Sequence, residues 1–507
     1  MKQIYNKIAF LIHPILLSVY PVLFLYSYNI SQTAFKEILL PTAISSGFSL
    51  ILLFIIILLS KNKFKSSLFI SLLLLLFFSY GHLSEILFHK LRTKNPDYVL
   101  IPVFSLALIL FVWLIIKTSA NLNFITHIIN LTAFSLILLS CFSIIKFSLE
   151  TGKPVIPEAD LEKRISAANI KTDNLPDIYY IILDGYAGEE TLKNIYNFDN
   201  SEFLNFLRSK GFFIASKSRS NYIHTALSLA SSLNMNYLHD FFNKSYSKDN
   251  SMRIMFDLIN NNITQRILKK IGYTTININS GSALTTHNPF SDINIEPDKL
   301  NEFNIILLQT TVIFPLIELF GYSNHFRRHI KNTFNIITEI SKLKNTTYTF
   351  SHILVPHPPF LFSENNLINF TKKLEIENSW CNKEDYLNQL KAVNLLTKKM
   401  VSKILECSDR KPIIIIQADH GPASLFCEEE NSWEKLKDRA LKERFSILNA
   451  LLLPSNNYML SLCHSPVNTF RIIFNDLTDN NFKLLNNEYY FSIKNDIFNL
   501  KKVPFNE

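Results

Sequence analysis

Hydrophobicity along this chain is too unevenly distributed for a single soluble globule. Within the first 150 residues lie five apolar stretches, at about 8–30, 37–60, 66–88, 98–118 and 125–147, each near the ~20 residues an α-helix needs to cross a bilayer. The first is too long, and too closely followed by the others, for a cleaved signal peptide, so it reads as a retained anchor. The third is interrupted by Tyr80, His82 and Glu85. Such groups either sit in a bundle interior or serve a role at the membrane surface.

Five crossings put the two ends of the chain on opposite sides. Lys2 and Lys7 before the first stretch, with Lys61, Lys63 and Lys65 in the second loop, mark the cytoplasmic side. The large carboxyl-terminal part then lies outside the cytoplasm, as in a protein of the cytoplasmic (inner) membrane with a periplasmic domain. Lys90, Arg92 and Lys94 in the third loop point the other way. The net charge of +9 comes without a basic stripe interleaved with aromatics, which argues against nucleic acid and for anionic lipid head groups as partner. Of five cysteines, Cys141 falls in the fifth apolar stretch, while Cys381, Cys407, Cys427 and Cys463 fall in the polar half. Outside the cytoplasm those four permit up to two disulfides, with free thiols as the alternative.

Residues 150–176 are polar, carry Pro154 and Pro157, and show no sustained apolar period, so they read as a linker between a membrane domain (1–149) and the rest. From 177 to 507 strand-like runs (178–183, 212–216, 274–279, 348–355, 413–417, 447–453) alternate with amphipathic stretches (189–210, 263–272, 326–343, 383–406, 466–477). The order of elements in 244–262 and 280–306 cannot be read from the pattern. Alternation of this kind predicts an extracytoplasmic α/β domain with a mixed, mostly parallel sheet covered by helices.

Four segments of that domain carry chemistry. The aliphatic run 412–418 leads into Asp419-His420-Gly421, a carboxylate and an imidazole where ligands collect beyond the carboxyl ends of parallel strands. The chain has only ten glycines, yet Gly185, Gly188 and Gly421 all stand beside candidate site residues. Asp184 follows the run 178–183 in the same way and is a second candidate carboxylate, or an Asx turn. Thr225 opens the helical pattern of 225–234, where unpaired N–H groups favour negative charge, or it is that helix's N-cap. In His352-Ile-Leu-Val-Pro-His357, His357 lies past the strand and is the better candidate to reach substrate; His352 is a second candidate, or a supporting residue. Two carboxylates, one or two imidazoles and a hydroxyl at a helix start suit one divalent metal, Zn or Mn, activating a nucleophile.

The order Asp184, Thr225, His357, Asp419-His420 resembles the alkaline phosphatase superfamily, in its sulfatase-like branch of membrane-anchored transferases. That branch includes lipopolysaccharide phosphoethanolamine transferases and the glycerol-phosphate polymerases of lipoteichoic acid synthesis. Thr225-Ala-Leu-Ser228 is similar to the transferases' nucleophile segment, the His352 to His357 spacing is similar to theirs, and Asp419-His420-Gly421 matches the superfamily's metal motif. The resemblance implies that Asp184, Thr225, Asp419 and His420 bind one metal, that Thr225 forms a covalent intermediate, and that His357, with His352, meets the substrate. Asp184 stands where those transferases usually carry Glu. The further histidine they carry about a dozen residues past that motif has no counterpart before His464, which argues against a second metal. The cysteine signature of formylglycine sulfatases is absent. The implied function is transfer of a phosphoethanolamine- or phosphoglycerol-type head group from a phospholipid donor to a surface glycan or lipid. Two alternatives stand beside it: a phosphodiesterase or phosphatase using water as acceptor, and an inactive membrane-anchored binding protein.

Overall fold

The computed structural model describes residues 2–30, 33, 35–89, 96–150, 175–240, 251–282, 284–298, 302–319, 322–362, 379–425, 438–454, 464–479, 482–493 and 496–505. The linker core 151–174, the third-loop cations Lys90, Arg92 and Lys94, and Cys427 and Cys463 lie outside the described residues. The chain divides into two compact units, 1–153 with 300–322, and 154–299 with 323–507.

The first unit holds helices Lys2–Tyr28, Leu39–Ser60, Lys63–His89, Asp97–Lys117 and Leu122–Glu150. All five are long and apolar enough to cross a membrane. Some polar side chains inside the bundle reach backbone carbonyls of neighbouring helices, which ties helix to helix. Asn130 Nδ2 donates to Ala9 O at 2.9 Å, and Ser49 Oγ to Pro14 O at 3.2 Å. Of the three polar residues that interrupt the third stretch, Tyr80 is buried and its hydroxyl donates to Asp97 Oδ1 at 2.8 Å.

A further segment of this unit was expected in the soluble domain. Residues 300–322 carry helices Glu302–Gln309 and Phe314–Leu319 and pack with the membrane helices. Phe303 is buried against Val22, Tyr26 and Ile38, and the backbone joins helix Lys63–His89 through Gly81 N–H to Thr310 O and Val312 N–H to Phe77 O, each 3.0 Å. Gly81 permits the approach, because a Cβ there would stand 1.9 Å from Gln309 O. The two apolar helices have eight and six residues, too short to register as crossings, so the linear pattern did not separate them from the soluble half.

The second unit is built on β1 (Ile178–Leu183), β2 (Phe213–Ile214), β3 (Thr274–Ile278), β4 (Ile293–Ile295), β5 (Thr347–Ile353), β6 (Ile413–Gln417) and β7 (Asn449–Leu452), with a separate hairpin of β8 (Tyr490–Ile493) and β9 (Asp496–Lys502). The seven-stranded sheet has the order β2-β7-β6-β1-β5-β3-β4. Strands β6, β1, β5, β3 and β4 are mutually parallel, and β7 returns antiparallel to β6. This is the mixed, mostly parallel sheet that the alternation predicts.

β1 is buried on both faces, which is why it reads as a continuous apolar run. Ile178, Tyr180 and Ile182 enter one core with helices Thr225–Asn234, Ile263–Lys270 and Thr469–Leu477; Tyr179, Ile181 and Leu183 enter the other with helices Tyr322–Ile340 and Lys383–Cys407. The expected helix 189–210 is two helices, Glu189–Tyr196 and Ser201–Ser209, because Asn197 takes the left-handed conformation (φ 50°) and ends the first. β4, helix Ser251–Asn260 and the β8-β9 hairpin had no legible signal. Cys381 is disulfide-bonded and Cys407 is a free thiol, so not all four cysteines of the polar half are paired.

Candidate metal centre and active site

The sheet order explains how residues 235 apart in sequence come together. β1 and β6 are adjacent and parallel, with Ile182 opposite Gln417. Their next residues therefore emerge side by side at the carboxyl edge, bringing Asp184 to Asp419-His420. On the other side of β1, Ile182 is also opposite His352 of β5. Helix Thr225–Asn234 points its amino terminus at the same place, and Thr225 Oγ1 lies 3.2 Å from His420 Nε2. The N-cap position falls on His224, with no side-chain cap, so the Thr225 hydroxyl is not used for capping.

Asp184, Asp419 and His420 are 4 %, 2 % and 1 % exposed, and one ligand atom from each lies within 4.8 Å of the others. His420 Nε2 stands 3.6 Å from Asp184 Oδ1 and 3.3 Å from Asp419 Oδ2. Both of those oxygens are buried without a hydrogen-bond partner, whereas Asp419 Oδ1 accepts the Gly185 N–H at 3.2 Å. The other ring nitrogen, His420 Nδ1, faces Gly421 O at 3.0 Å. A carbonyl only accepts, so in the neutral ring Nδ1 carries the proton and Nε2 presents its lone pair to the carboxylates. The one Thr225 hydroxyl is too few donors for the buried acceptors converging on this point, and acceptors so gathered are costly unless a cation is held there. Mixed oxygen and nitrogen donors fit a divalent metal such as Zn or Mn.

The electrostatics agree with that geometry. Burial alone raises the Asp184 carboxyl, but the charge of His357 and the hydrogen bond of His352 hold it well below the usual range. Burial, then repulsion from Asp184, pushes Asp419 up to about 6. Burial and the Arg444 charge push His420 well below its ordinary value, keeping the ring neutral and its lone pair free. Burial opposes protonation of His352, yet the hydrogen bond and charge of Asp184 raise it.

His352 is buried behind Asp184: its Nε2 is 3.3 Å from Asp184 Oδ2 and its Nδ1 2.9 Å from Thr285 Oγ1. This occupies one carboxylate oxygen and leaves Oδ1 for the centre. His357 lies beyond the strand and only partly buried, its N–H donating to Asp184 O at 3.0 Å. Its ring is edge-on to Trp380 at 4.9 Å and 6.2 Å from the ring of His420.

Three residues of the site were not singled out by the linear pattern. Arg444, buried, donates from Nη1 to Gly421 O at 2.8 Å and from Nε to Ile223 O at 2.9 Å, tying the metal-motif loop to the segment before Thr225. Glu443 is fully buried and accepts from Ser424 N–H (3.1 Å), Ser424 Oγ (2.6 Å), Leu425 N–H (2.9 Å) and Tyr196 OH (2.7 Å). Trp380 stands against His357, with the Arg444 guanidinium 5.8 Å from its ring centre. The usable signal was an adjacent Glu-Arg pair just before an apolar strand; on sequence alone it reads as a solvated helix end.

Fold and site together define an α/β protein with membrane-spanning helices and a buried acceptor cluster, fronted by a hydroxyl, at the carboxyl edge of its sheet. No protein-family model matches the chain, and no curated protein does. Among solved structures it is similar to the C-terminal periplasmic domain of EcEptC from Escherichia coli, at 12% identity over 66% of this chain and 94% of that one, with a TM-score of 0.42. It is similar also to the integral membrane protein lipooligosaccharide phosphoethanolamine transferase A of Neisseria meningitidis, at 11% identity over 90% and 94% of the two chains, with a TM-score of 0.36. A third is the lipoteichoic acid synthase LtaP of Listeria monocytogenes, at 12% identity over 60% and 73%, with a TM-score of 0.35.

Proposed function

We propose that the protein is a metal-dependent, membrane-bound transferase that moves a phosphorus-containing head group from a phospholipid donor to a surface glycan or lipid through a covalent Thr225 intermediate. The observation that carries this reading is the Thr225 hydroxyl, free of capping duty and 3.2 Å from His420 Nε2, beside two partnerless carboxylate oxygens. Asp184 Oδ1, Asp419 Oδ2, His420 Nε2 and Thr225 Oγ1 would hold one divalent cation. Such a cation, when bound, lowers the pKa of a neighbouring hydroxyl and neutralises charge on a transferring phosphoryl group.

The protein's own groups do the rest. The unpaired N–H groups at the start of helix Thr225–Asn234 favour an anionic phosphoryl group there. Thr225 Oγ1 attacks the donor phosphorus and the diacylglycerol oxygen leaves; the acceptor hydroxyl then attacks the same phosphorus and Thr225 Oγ1 leaves. His357, beyond the strand and touching the Asp184 backbone, is placed to stabilise charge or carry a proton at that stage. His352 positions Asp184 from behind. The membrane helices confine the soluble unit to the surface where the donor is concentrated, converting capture into an encounter at high effective concentration. The Cys381 disulfide supports an oxidising, extracytoplasmic compartment for that unit.

The test is peptide mass spectrometry on the protein purified from its own membranes. An adduct of phosphoethanolamine, phosphoglycerol or phosphate on the Thr225 peptide establishes the nucleophile and names the group transferred. An unmodified peptide, in metal-loaded protein offered a mixed phospholipid pool, counts against the covalent reading.

A further inference from the structure

Arg444 is 7 % exposed, stands in the last turn of helix Asp438–Phe445, and makes no ion pair with any carboxylate among the described residues. Burying a charge without a partner in contact is costly, and a neutral amide could tie two carbonyls as well. Of the five N–H donors of a guanidinium, two are engaged: Nε on Ile223 O at 2.9 Å and Nη1 on Gly421 O at 2.8 Å. The other three, two of them on Nη2, have no partner among the described residues, yet Nη2 is not sealed inside the protein. This free edge opens onto space that a ligand can enter.

The guanidinium belongs to the metal centre by contact. Gly421 O accepts from Arg444 Nη1 and faces His420 Nδ1 at 3.0 Å, so the guanidinium and the imidazole share one acceptor atom. Ile223, the other anchor, stands two residues before Thr225. Trp380 has the guanidinium carbon 5.8 Å from its ring centre, which fixes the plane of the fork, and His357 edge-on at 4.9 Å. The same indole lies against Gly185, next to Asp184, where a Cβ would stand 2.6 Å from Cη2.

Charge then says what the free edge is for. Burial pushes the Arg444 guanidinium down to about 10, while Asp419 and then Asp184 pull it back up, so it stays cationic at neutral pH. One group of candidate ligands is present among the described residues, enough for one metal ion. A metal held there takes up the charge of Asp184 and Asp419 and leaves Arg444 uncompensated beside it. Glu443, the next carboxylate acting on Arg444, already accepts four hydrogen bonds. An uncompensated cation is stabilised when an anion enters. A planar fork matches two oxygens of a phosphoryl group, and a donor fixed in advance needs no reorganisation as charge shifts during transfer.

We propose that Arg444 is a catalytic residue whose free edge clamps the non-bridging oxygens of the phosphoryl group while Thr225 attacks and later leaves. Arg444 keeps its proton throughout and makes or breaks no covalent bond. The proposal rests on the reading that this centre handles a phosphorus-containing group. Calorimetry on the zinc-loaded full chain in detergent micelles, with inorganic phosphate as probe, would compare the unaltered protein with Arg444→Gln and Arg444→Lys. Arg444→Gln should weaken phosphate binding by about tenfold or more and slow formation of the Thr225 adduct by on the order of 10²-fold. Zinc affinity should hold or rise, because a positive charge beside the metal is removed. A residue that only tied two loops together would show the reverse, zinc affinity and thermal midpoint falling together. Phosphate affinity unchanged in Arg444→Gln, or lost only in step with zinc affinity, overturns the clamp. If that variant does not fold, Arg444→Lys decides, since it keeps the charge and loses the fork: a loss of about threefold or more at unchanged zinc affinity supports the clamp, and phosphate affinity equal to the unaltered protein's overturns it. A Thr225 adduct whose rate ignores Arg444 overturns the clamp and leaves the transferase reading standing. Phosphate binding that depends on Arg444, with no adduct formed, overturns covalent transfer and leaves the anion site standing.

Discussion

Thr225 Oγ1 and His420 Nε2 stand 3.2 Å apart although 195 residues separate them, because a helix start and a strand end meet at one edge of the sheet. A hydroxyl serving the helix would instead turn onto its own first-turn N–H groups. The relationship therefore makes Thr225→Ala the sharpest substitution. Turnover should fall by on the order of 10³-fold or more and the adduct should vanish, with the fold retained. Thr225→Ser should keep the adduct. Full activity in the Ala variant would return Thr225 to a structural role.

The two carboxylates differ in what protons do to them. Asp419 sits at about 6 in the folded protein, above its unfolded value, so between roughly pH 4 and 6 the metal-free fold binds more protons than the unfolded chain. Its contribution to stability is fully present at the acid end of that window and is lost as pH rises through 6. Asp184 has the opposite sign: held low, it contributes above its unfolded value and is lost only under stronger acid. A cation must displace the Asp419 proton, so metal affinity should climb about tenfold per pH unit below 6 and flatten above it. Zinc titrations by competition with a chromophoric chelator from pH 5 to 8 check this; a flat profile would show that Asp419 is not a ligand.

His352 bears on the Asp184 carboxylate from behind, one of its nitrogens on Oδ2 and the other on Thr285. Replacing it by Gln should leave the nucleophile intact but loosen Asp184. Metal affinity should drop about 10- to 100-fold, as for other residues that orient a ligand without touching the metal. Excess metal should restore turnover. A change in the Michaelis constant for donor, with metal affinity untouched, would instead make His352 a substrate contact.

Much of this was written into the chain, for identifiable reasons. β1 and β6 read as buried strands because both faces are covered, and their bounds at 178–183 and 413–417 match the structure. Residues placed at strand ends follow from those bounds, which is why Asp184 and Asp419-His420 were legible. The membrane helices were legible because hydrocarbon imposes a length. What failed to show depends on partners distant in sequence. Segment 300–322 is recognisable as part of the membrane unit only through contacts far along the chain, with Gly81 and Phe77 by backbone and with Val22, Tyr26 and Ile38 by packing. Glu443 and Arg444 look like solvated charge until the loops at 421–425 and 223 close over them.

Glu443 accepts four hydrogen bonds in a fully buried position, three of them from Ser424 and Leu425 just past the metal motif. Glu443→Ala should leave those donors without partners and cost at least about 3 kcal/mol of stability. Chemical unfolding in detergent would read it. A loss below 1 kcal/mol would mean that the loop finds other partners.

Gly421 closes the metal motif under the backbone of 443–446. A Cβ at this position would lie 2.2 Å from Glu443 O and 2.6 Å from Ser446 O, contacts that only movement of the backbone can relieve. Its N–H donates to Arg444 O at 2.7 Å and its carbonyl accepts from Arg444 Nη1, so it cannot shift without breaking both. Gly421→Ala should therefore cost about 1–3 kcal/mol or more and displace His420 relative to Asp184. Metal affinity and thermal midpoint should fall together, since the same backbone segment carries the ligand and the packing. A variant that lost stability but kept its metal affinity would show that the ligands are positioned by their strands alone.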